Sequence, residues 1–248
     1  MPDRLNPEPS TIAELLQRKS VRKFEPTPIS DDVKASILDC AFAAPTAGDQ
    51  QLYTIIDVVD PAIKETLART CDHQPFIASA PWVLVFLADC RRWLDTYELA
   101  DAPARQPGPA DLLLAVADAT IAAQNAVVAA HANGLGSCYI GDIVEQREEV
   151  VELLNLDPYV YPAALLVFGY PTPQQQRRRK PARFPRETIV LTDRYRRLRP
   201  DELRGAIEAR GEDFDHTIPA FCKRKYMSDF AAEMNRCVRD YLAPYLHP

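Results

Sequence analysis

A short basic segment near the start of the chain carries residue types that could bind an anionic, polar ligand. It consists of Arg18, Lys19, Ser20, Val21, Arg22, Lys23 and Phe24. Guanidinium groups form paired hydrogen bonds to phosphate, and a neighbouring hydroxyl can bond the edge of a polar heterocycle. The segment is therefore a candidate binding site for a ligand that carries a phosphate and a polar heterocycle. Basic residues just after a helix also complement the helix dipole, and this simpler interpretation stays open for the segment taken alone.

A second basic run lies in the proline-rich stretch 171–185. It contains Arg177, Arg178, Arg179, Lys180 and Arg183. By itself such a run is typical of a solvated loop. It would indicate a ligand site only if the fold brought it close to the first segment.

The elements that must position these residues follow from hydrophobic patterns. Residues 53–59 and 82–88 predict strands, the second buried on both faces, and residues 138–140 and 163–169 predict two more. Asp111 to Asn133 is apolar nearly all round and precedes Gly134, which predicts a buried central helix. Further helices are predicted at 11–18, 33–41, 62–69, 145–154, 201–210 and 227–245. The order is mixed α/β, with no internal repeat.

Composition and charge exclude several classes of protein. The formal net charge is −6, which argues against nucleic acid or an anionic membrane as the main partner. Residues 1–10 lack the apolar core of a signal peptide, and no segment is expected to span a membrane, so a cytoplasmic protein is predicted. The six cysteines are scattered without metal-ligand spacing, and neither a zinc site nor a disulfide framework is indicated.

Common nucleotide and hydrolase motifs are also missing. Gly134, Gly136 and Gly141 follow a helix and enter a strand, the reverse of the order in a dinucleotide-binding turn. The chain has no GxxxxGK[ST] loop and no GxSxG elbow.

Several motifs in order resemble the nitroreductase family. They are RKSVRKF, then APTAGDQQ before a strand, then ATIAAQNAVVAAHANGLGSCYIG, then FGYP. The likeness runs from about Thr11 to about Pro185, and is nearest to the oxygen-insensitive nitroreductases and NADPH-flavin oxidoreductases. The resemblance implies an α+β fold, a central mostly antiparallel sheet flanked by helices, in an intertwined homodimer with FMN at the interface. Residues 1–185 would form the FMN-binding core, and 186–248 a helical extension packing on the dimer within the same domain.

The resemblance also implies roles for individual residues. Arg18 would hold the FMN phosphate, Ser20 the ribityl chain or ring edge, and Arg22 would lie beside N1 and the C2 carbonyl, where reduced flavin carries negative charge. The backbone near Gly141 would face N5, the atom that exchanges hydride. The cofactor-binding set is Arg18, Lys19, Ser20, Arg22, Pro45, Thr46, Gln51, Gln74, Tyr139, Ile140, Gly141, Lys180 and Arg183, of which Pro45, Thr46 and Gln51 would come from the partner subunit.

The chain departs from the family pattern at three places. KPARFP has one residue more than the usual motif, which leaves open which of Arg179, Lys180 and Arg183 touches the phosphate. Arg18 stands where relatives often have His. Asp142 follows Gly141 where relatives often have Gly, and its carboxylate either repels anions or points to solvent.

The implied activity is an NAD(P)H oxidoreductase in which the flavin performs the chemistry and no side chain acts as essential acid or nucleophile. NADH or NADPH would reduce the flavin, and a nitroaromatic, quinone or free flavin would then accept the electron pair in ping-pong fashion. Two alternatives stay open: a family member without nicotinamide turnover, such as a dehalogenase, flavin destructase or ring oxidase, and a non-catalytic flavin-binding protein. No metal is expected.

Overall fold

The computed structural model describes residues 10–246, which form one four-stranded sheet and eleven helices. The strands are β1 (Tyr53–Asp57), β2 (Trp82–Asp89), β3 (Gly136–Ile140) and β4 (Val160–Gly169), in the order β1-β2-β4-β3 with every neighbouring pair antiparallel. The helices are α1 (Ser10–Gln17), α2 (Asp31–Phe42), α3 (Pro61–Thr70), α4 (Arg91–Leu99), α5 (Pro109–Ala132), α6 (Arg147–Leu154), α7 (Pro173–Arg177), α8 (Arg186–Ile189), α9 (Pro200–Glu208), α10 (Phe214–Lys225) and α11 (Asp229–Leu246).

Both faces of the sheet are covered, as the apolar run in β2 predicts. Side chains alternate along β2: Leu84 and Phe86 pack with α2 and α5 on one face. Val83 and Val85 pack on the other face with residues of α3, α6 and α11. The antiparallel sheet between helices confirms the predicted α+β class.

Helix α5 is the central core helix. A Pro begins it, and Asp111 accepts a hydrogen bond of 2.7 Å from the Gly108 N–H, which satisfies a donor at the helix start. Its sheet-facing side is mostly alanine, which lets the helix approach closely. The fully buried alanines are Ala115, Ala119, Ala122, Ala123, Ala126 and Ala130.

The expectation that no segment is long and apolar enough to span a membrane was wrong for α5. By length and composition this helix meets that test, within residues 10–246. The core helix of a globular protein can be as long and as apolar as a membrane-spanning helix. In α5 the buried alanine side that packs in the core accounts for the apolar composition.

The chain divides into two compact units. The first contains residues 10–178 and 233–246, and the second is Arg179–Ala232. Within the first unit, the Arg236 guanidinium donates to both Glu148 oxygens at 2.9 Å, tying α11 to the start of α6. Within the second unit, α9 contacts both α8 and α10.

Candidate functional site

The predicted basic segment lies along the outer edge of β3. Ser20 forms a parallel bridge with Ser137, and the Val21 N–H donates to the Ser137 carbonyl at 2.9 Å. Further on, the Glu25 N–H donates to the Tyr170 carbonyl at 2.8 Å. The structure therefore brings Arg18 to Arg22 alongside β3, the strand that contains Tyr139 and Ile140 and leads into Gly141.

Two paired glycines make this close approach possible. Gly136 of β3 and Gly169 of β4 face each other in the sheet register. A Cβ at Gly136 would lie 2.6 Å from Val21, and one at Gly169 would lie 2.7 Å from the Phe24 ring. The segment thus packs directly against the backbone of these two glycines, and a larger side chain at either position would prevent that contact.

Lys19 is used to hold the segment in place. Its ammonium donates to the Gln176 carbonyl at 2.6 Å and to the Arg178 carbonyl. In return, the Arg178 guanidinium donates to the Ser20 carbonyl at 2.6 Å. The buried Gln175 side chain accepts from the Arg22 N–H at 3.4 Å. Lys19, predicted as a cofactor contact, is thus hydrogen-bonded to two backbone carbonyls in this structure, and its contact with a cofactor stays a prediction.

The arginine side chains surround the end of β3 with positive charge. Burial raises the pKa of the Cys138 thiol, and the charges of Arg22 and Arg18 and hydrogen bonds from Ser20 and Arg22 oppose that rise. Burial likewise raises the pKa of Tyr139 to about 12, again opposed by Arg18. Arg18, Ser20 and Arg22 therefore act on the same short strand.

The predicted β3 residues differ in what they can offer a ligand. The Ile140 side chain is 2% exposed and belongs to the core, so only its backbone can face a ligand. Tyr139 packs on the α5 side, where its hydroxyl donates to the Gln124 Oε1 at 3.4 Å. Gly141 is exposed, and a Cβ there would meet nothing within 4 Å. Open space therefore lies beside its backbone.

Gln74 and Asp142 are joined across this end of the strand. The Gln74 side-chain nitrogen donates to the Asp142 carboxylate and, at 2.9 Å, to the Cys71 carbonyl. Neither predicted role of Asp142, repelling anions or pointing to solvent, included this bond. The contact links the turn after α3 to the residue that follows Gly141.

The loop that contains Pro45, Thr46 and Gln51 is held by a residue that sequence reasoning missed. Asp118 of α5 is 3% exposed and accepts from the Thr46 hydroxyl, from the Ala47 N–H at 2.9 Å and from the Leu52 N–H at 3.2 Å. The Thr46 hydroxyl also accepts from the Gln51 N–H at 2.7 Å. An acid in the interior of a mostly apolar helix, away from its first turn, is the signal that could have found it.

Within one chain this loop does not meet the basic segment. The loop leads into β1, whereas the segment lies on β3, and these strands are opposite edges of the sheet. Three strand spacings separate them, about 14 Å.

Lys180 and Arg183 lie in the second unit with exposed side chains, as does Arg179. Their meeting with Arg18 stays a prediction.

The family model for the Nitroreductase family matches residues 15–71 and 57–170, more than half of the chain. The chain belongs to the nitroreductase family. This confirms the resemblance drawn from the motifs.

Nitroreductase relatives cover nearly the whole chain. An FMN reductase [NAD(P)H] from Bacillus subtilis is 32% identical over 96% of this chain and 92% of its own length. An oxygen-insensitive NADPH nitroreductase from Salmonella typhimurium is 31% identical over 96% of each. The structure of an NADPH:FMN oxidoreductase from Vibrio harveyi complexed with NAD+ superposes with a TM-score of 0.82 at 25% identity, covering 95% of this chain and 98% of that one. The relatives thus include the C-terminal part, where the motifs gave only a weak likeness.

Proposed function

We propose that this chain is an FMN-dependent NAD(P)H oxidoreductase that reduces nitroaromatics, quinones or free flavins by two-electron transfer in a ping-pong cycle. One observation carries the proposal: Arg18, Ser20 and Arg22 line one edge of β3, the strand that leads into the open backbone at Gly141. The names of the relatives, an FMN reductase and an NADPH nitroreductase, support the same function.

The donor set fits a flavin mononucleotide. Arg18 would bind the phosphate, Ser20 the ribityl chain or ring edge, and Arg22 the N1 and C2 carbonyl side. Arg22 also lies over the Phe76 ring, 5.8 Å from its centroid, which fixes the cation near that edge. As the resemblance implies, Lys180 and Arg183 would also bind the FMN phosphate. The Gln74 amide, already oriented by Asp142, would lie along the ring system.

When bound, FMN supplies the exchange of an electron pair between the nicotinamide and the acceptor. The chain supplies the rest: cations that favour negative charge near N1, backbone beside N5 at Gly141, and a pocket that excludes water. No side chain is assigned as essential acid or nucleophile.

The active form is proposed to be a cytoplasmic homodimer. The loop from Pro45 to Gln51 lies at the sheet edge opposite the basic segment, so a second chain is needed to bring it over the flavin. Exposed apolar side chains on α1 and on α5, which contact each other, support such an interface. They are Ile12 and Leu15 at 45% exposure, Leu16 at 62% and Ile121 at 40%.

Anaerobic spectroscopy separates this function from the alternatives. The proposal predicts a yellow protein whose visible absorbance is bleached by NADPH or NADH and returns on adding a nitroaromatic or a quinone. Bleaching by dithionite but by neither nicotinamide would point to a family member without nicotinamide turnover. Bleaching by a nicotinamide without recovery on any acceptor would contradict the acceptor classes named here.

A further inference from the structure

A cleft of about 430 Å³ lies beside the start of β1 and the end of β2. It is bounded by α4, by the connection 100–108 and by the first turns of α5, with Leu52 and Cys90 among its lining residues. None of the predicted cofactor contacts lines it. The nitroreductase chemistry proposed above therefore leaves the cleft without a role.

The walls of the cleft are apolar and stiff. Trp93 and Tyr97 of α4 form a tilted ring pair with centroids 5.6 Å apart and planes at 40°. Pro103 and Pro107 also line the cleft, and their backbone has little conformational freedom to lose on binding. Such surfaces favour a flat aromatic ligand.

The charges in the cleft cancel. Arg105 donates to both oxygens of Asp111, at 2.6 and 3.0 Å, and these are the charged residues that line the cleft. Burial raises the pKa of the Cys90 thiol to about 11, so this lining group is neutral at physiological pH. Among the described residues that line the cleft, none carries an uncompensated charge for an ionic ligand to pair with.

The cleft is also joined to the functional loop. The Trp93 indole N–H donates to the Gln50 carbonyl at 2.9 Å, and Gln50 lines the cleft next to Gln51. A ligand in the cleft would therefore touch the same loop that Asp118 holds.

We propose that this cleft is a second ligand site, which binds a planar, uncharged aromatic molecule of about two fused rings. Its volume lies within the range of small-molecule pockets, about 300–1,000 Å³. Binding here requires neither FMN nor a nicotinamide, so the proposal is independent of the oxidoreductase function.

Tryptophan fluorescence reports on the cleft selectively. The chain has two tryptophans. Trp82 is 2% exposed in the core, whereas Trp93 lines the cleft. Adding 1-nitronaphthalene to the purified protein, without nicotinamide, should give saturable quenching. The quenching should disappear in Trp93→Phe, while calorimetry on that variant still detects binding. Quenching that rises linearly without saturation, or that persists in Trp93→Phe, would overturn the proposal.

Matched variants and ligands locate the site by calorimetry. Ala104 lines the cleft, whereas the exposed Ala100 at the end of α4 does not. Ala104→Trp should fill the cleft and weaken 1-nitronaphthalene binding at least tenfold, and Ala100→Trp should leave it unchanged. Naphthalene-1-sulfonate, with the same rings and a charge, should bind at least about tenfold more weakly than 1-nitronaphthalene. Equal affinity of both alanine variants, or of both ligands, would contradict the assignment, whether or not the protein oxidises NADPH.

Discussion

Val21 lies directly on Gly136, so that a Cβ at position 136 would be 2.6 Å from the Val21 side chain. This contact determines how closely the basic segment approaches β3. Because Arg18, Ser20 and Arg22 are carried by that segment, their position depends on a residue that has no side chain.

Replacing Gly136 by Ala should therefore displace the segment. The expected cost is about 1–3 kcal/mol of unfolding free energy, the usual range for overpacking, together with weaker FMN binding. Gly205→Ala is the matched control, since a Cβ at this position of α9 meets nothing within 4 Å and alanine favours a helix. Denaturant titrations and FMN titrations of both variants measure the effect. Wild-type stability and FMN affinity in Gly136→Ala would show that Val21 does not need the space.

Asp118 should be essential for the loop that precedes β1. Asp118→Ala leaves the Ala47 and Leu52 N–H groups without their acceptor, at an expected cost of about 2–4 kcal/mol. Asp118→Asn keeps one acceptor oxygen and should lose less. Thr120→Ala, at an exposed position on the same helix, serves as control. Denaturant titration gives the energies, and limited proteolysis tests whether cleavage appears within 45–51. Equal stability of Asp118→Ala and Thr120→Ala would remove Asp118 from this role.

Much of the architecture was predictable because it depends on local pattern. The continuous apolar run in β2 and the apolar length of α5 each predict a buried element, and both are found. Helix α4 was missed although it is amphipathic, because its nine residues between Cys90 and Ala100 are rich in charged residues and include only two aliphatic ones.

The details of the site depend on partners that are distant in sequence. Lys19 looks like a ligand contact in the sequence, but its hydrogen-bond acceptors are carbonyls more than 150 residues away. Asp118 and the loop it holds are about 70 residues apart, and no pattern in either segment predicts that they are in contact. Local reasoning finds which residues carry charge, whereas the fold decides which of those charges remain available.

Glu145 should make the protein less stable as the pH rises. Burial, followed by the negative charges of Asp72, Asp142 and Glu233, raises its pKa to about 7, and its Oε2 has no hydrogen-bond partner among the described residues. Between about pH 4.5 and 7 the unfolded chain ionises this carboxyl while the folded chain keeps the proton, which favours unfolding.

Glu145→Gln should remove this part of the pH dependence. Wild type is expected to lose about 2–3 kcal/mol between pH 4.5 and 8 through this group, and the variant should be the more stable protein above pH 7. Glu152→Gln, at an exposed site on α6, should behave like wild type. Thermal or urea unfolding at several pH values checks this. If Glu145→Gln were less stable than wild type at pH 8, the ionised Glu145 carboxylate would stabilise the folded protein, which contradicts the raised pKa.

Arg18 and Arg22 should each contribute to FMN affinity. Because hydrogen bonds to charged groups contribute about 1.5–3 kcal/mol, Arg18→Ala or Arg22→Ala should weaken FMN binding about ten- to hundredfold. Lys23→Ala removes a charge from the same segment at an exposed position without an assigned ligand role. Fluorescence titration with FMN compares the three. An equal loss in all three variants would mean that net charge alone, not placement on β3, attracts the cofactor.

The most direct test of the account is the uptake of FMN by the dialysed, flavin-free protein. The flavin-free protein should bind FMN to saturation at one FMN per chain, with micromolar or tighter affinity, and turn yellow. A protein that stays colourless, with no FMN retained at micromolar concentrations, would contradict it.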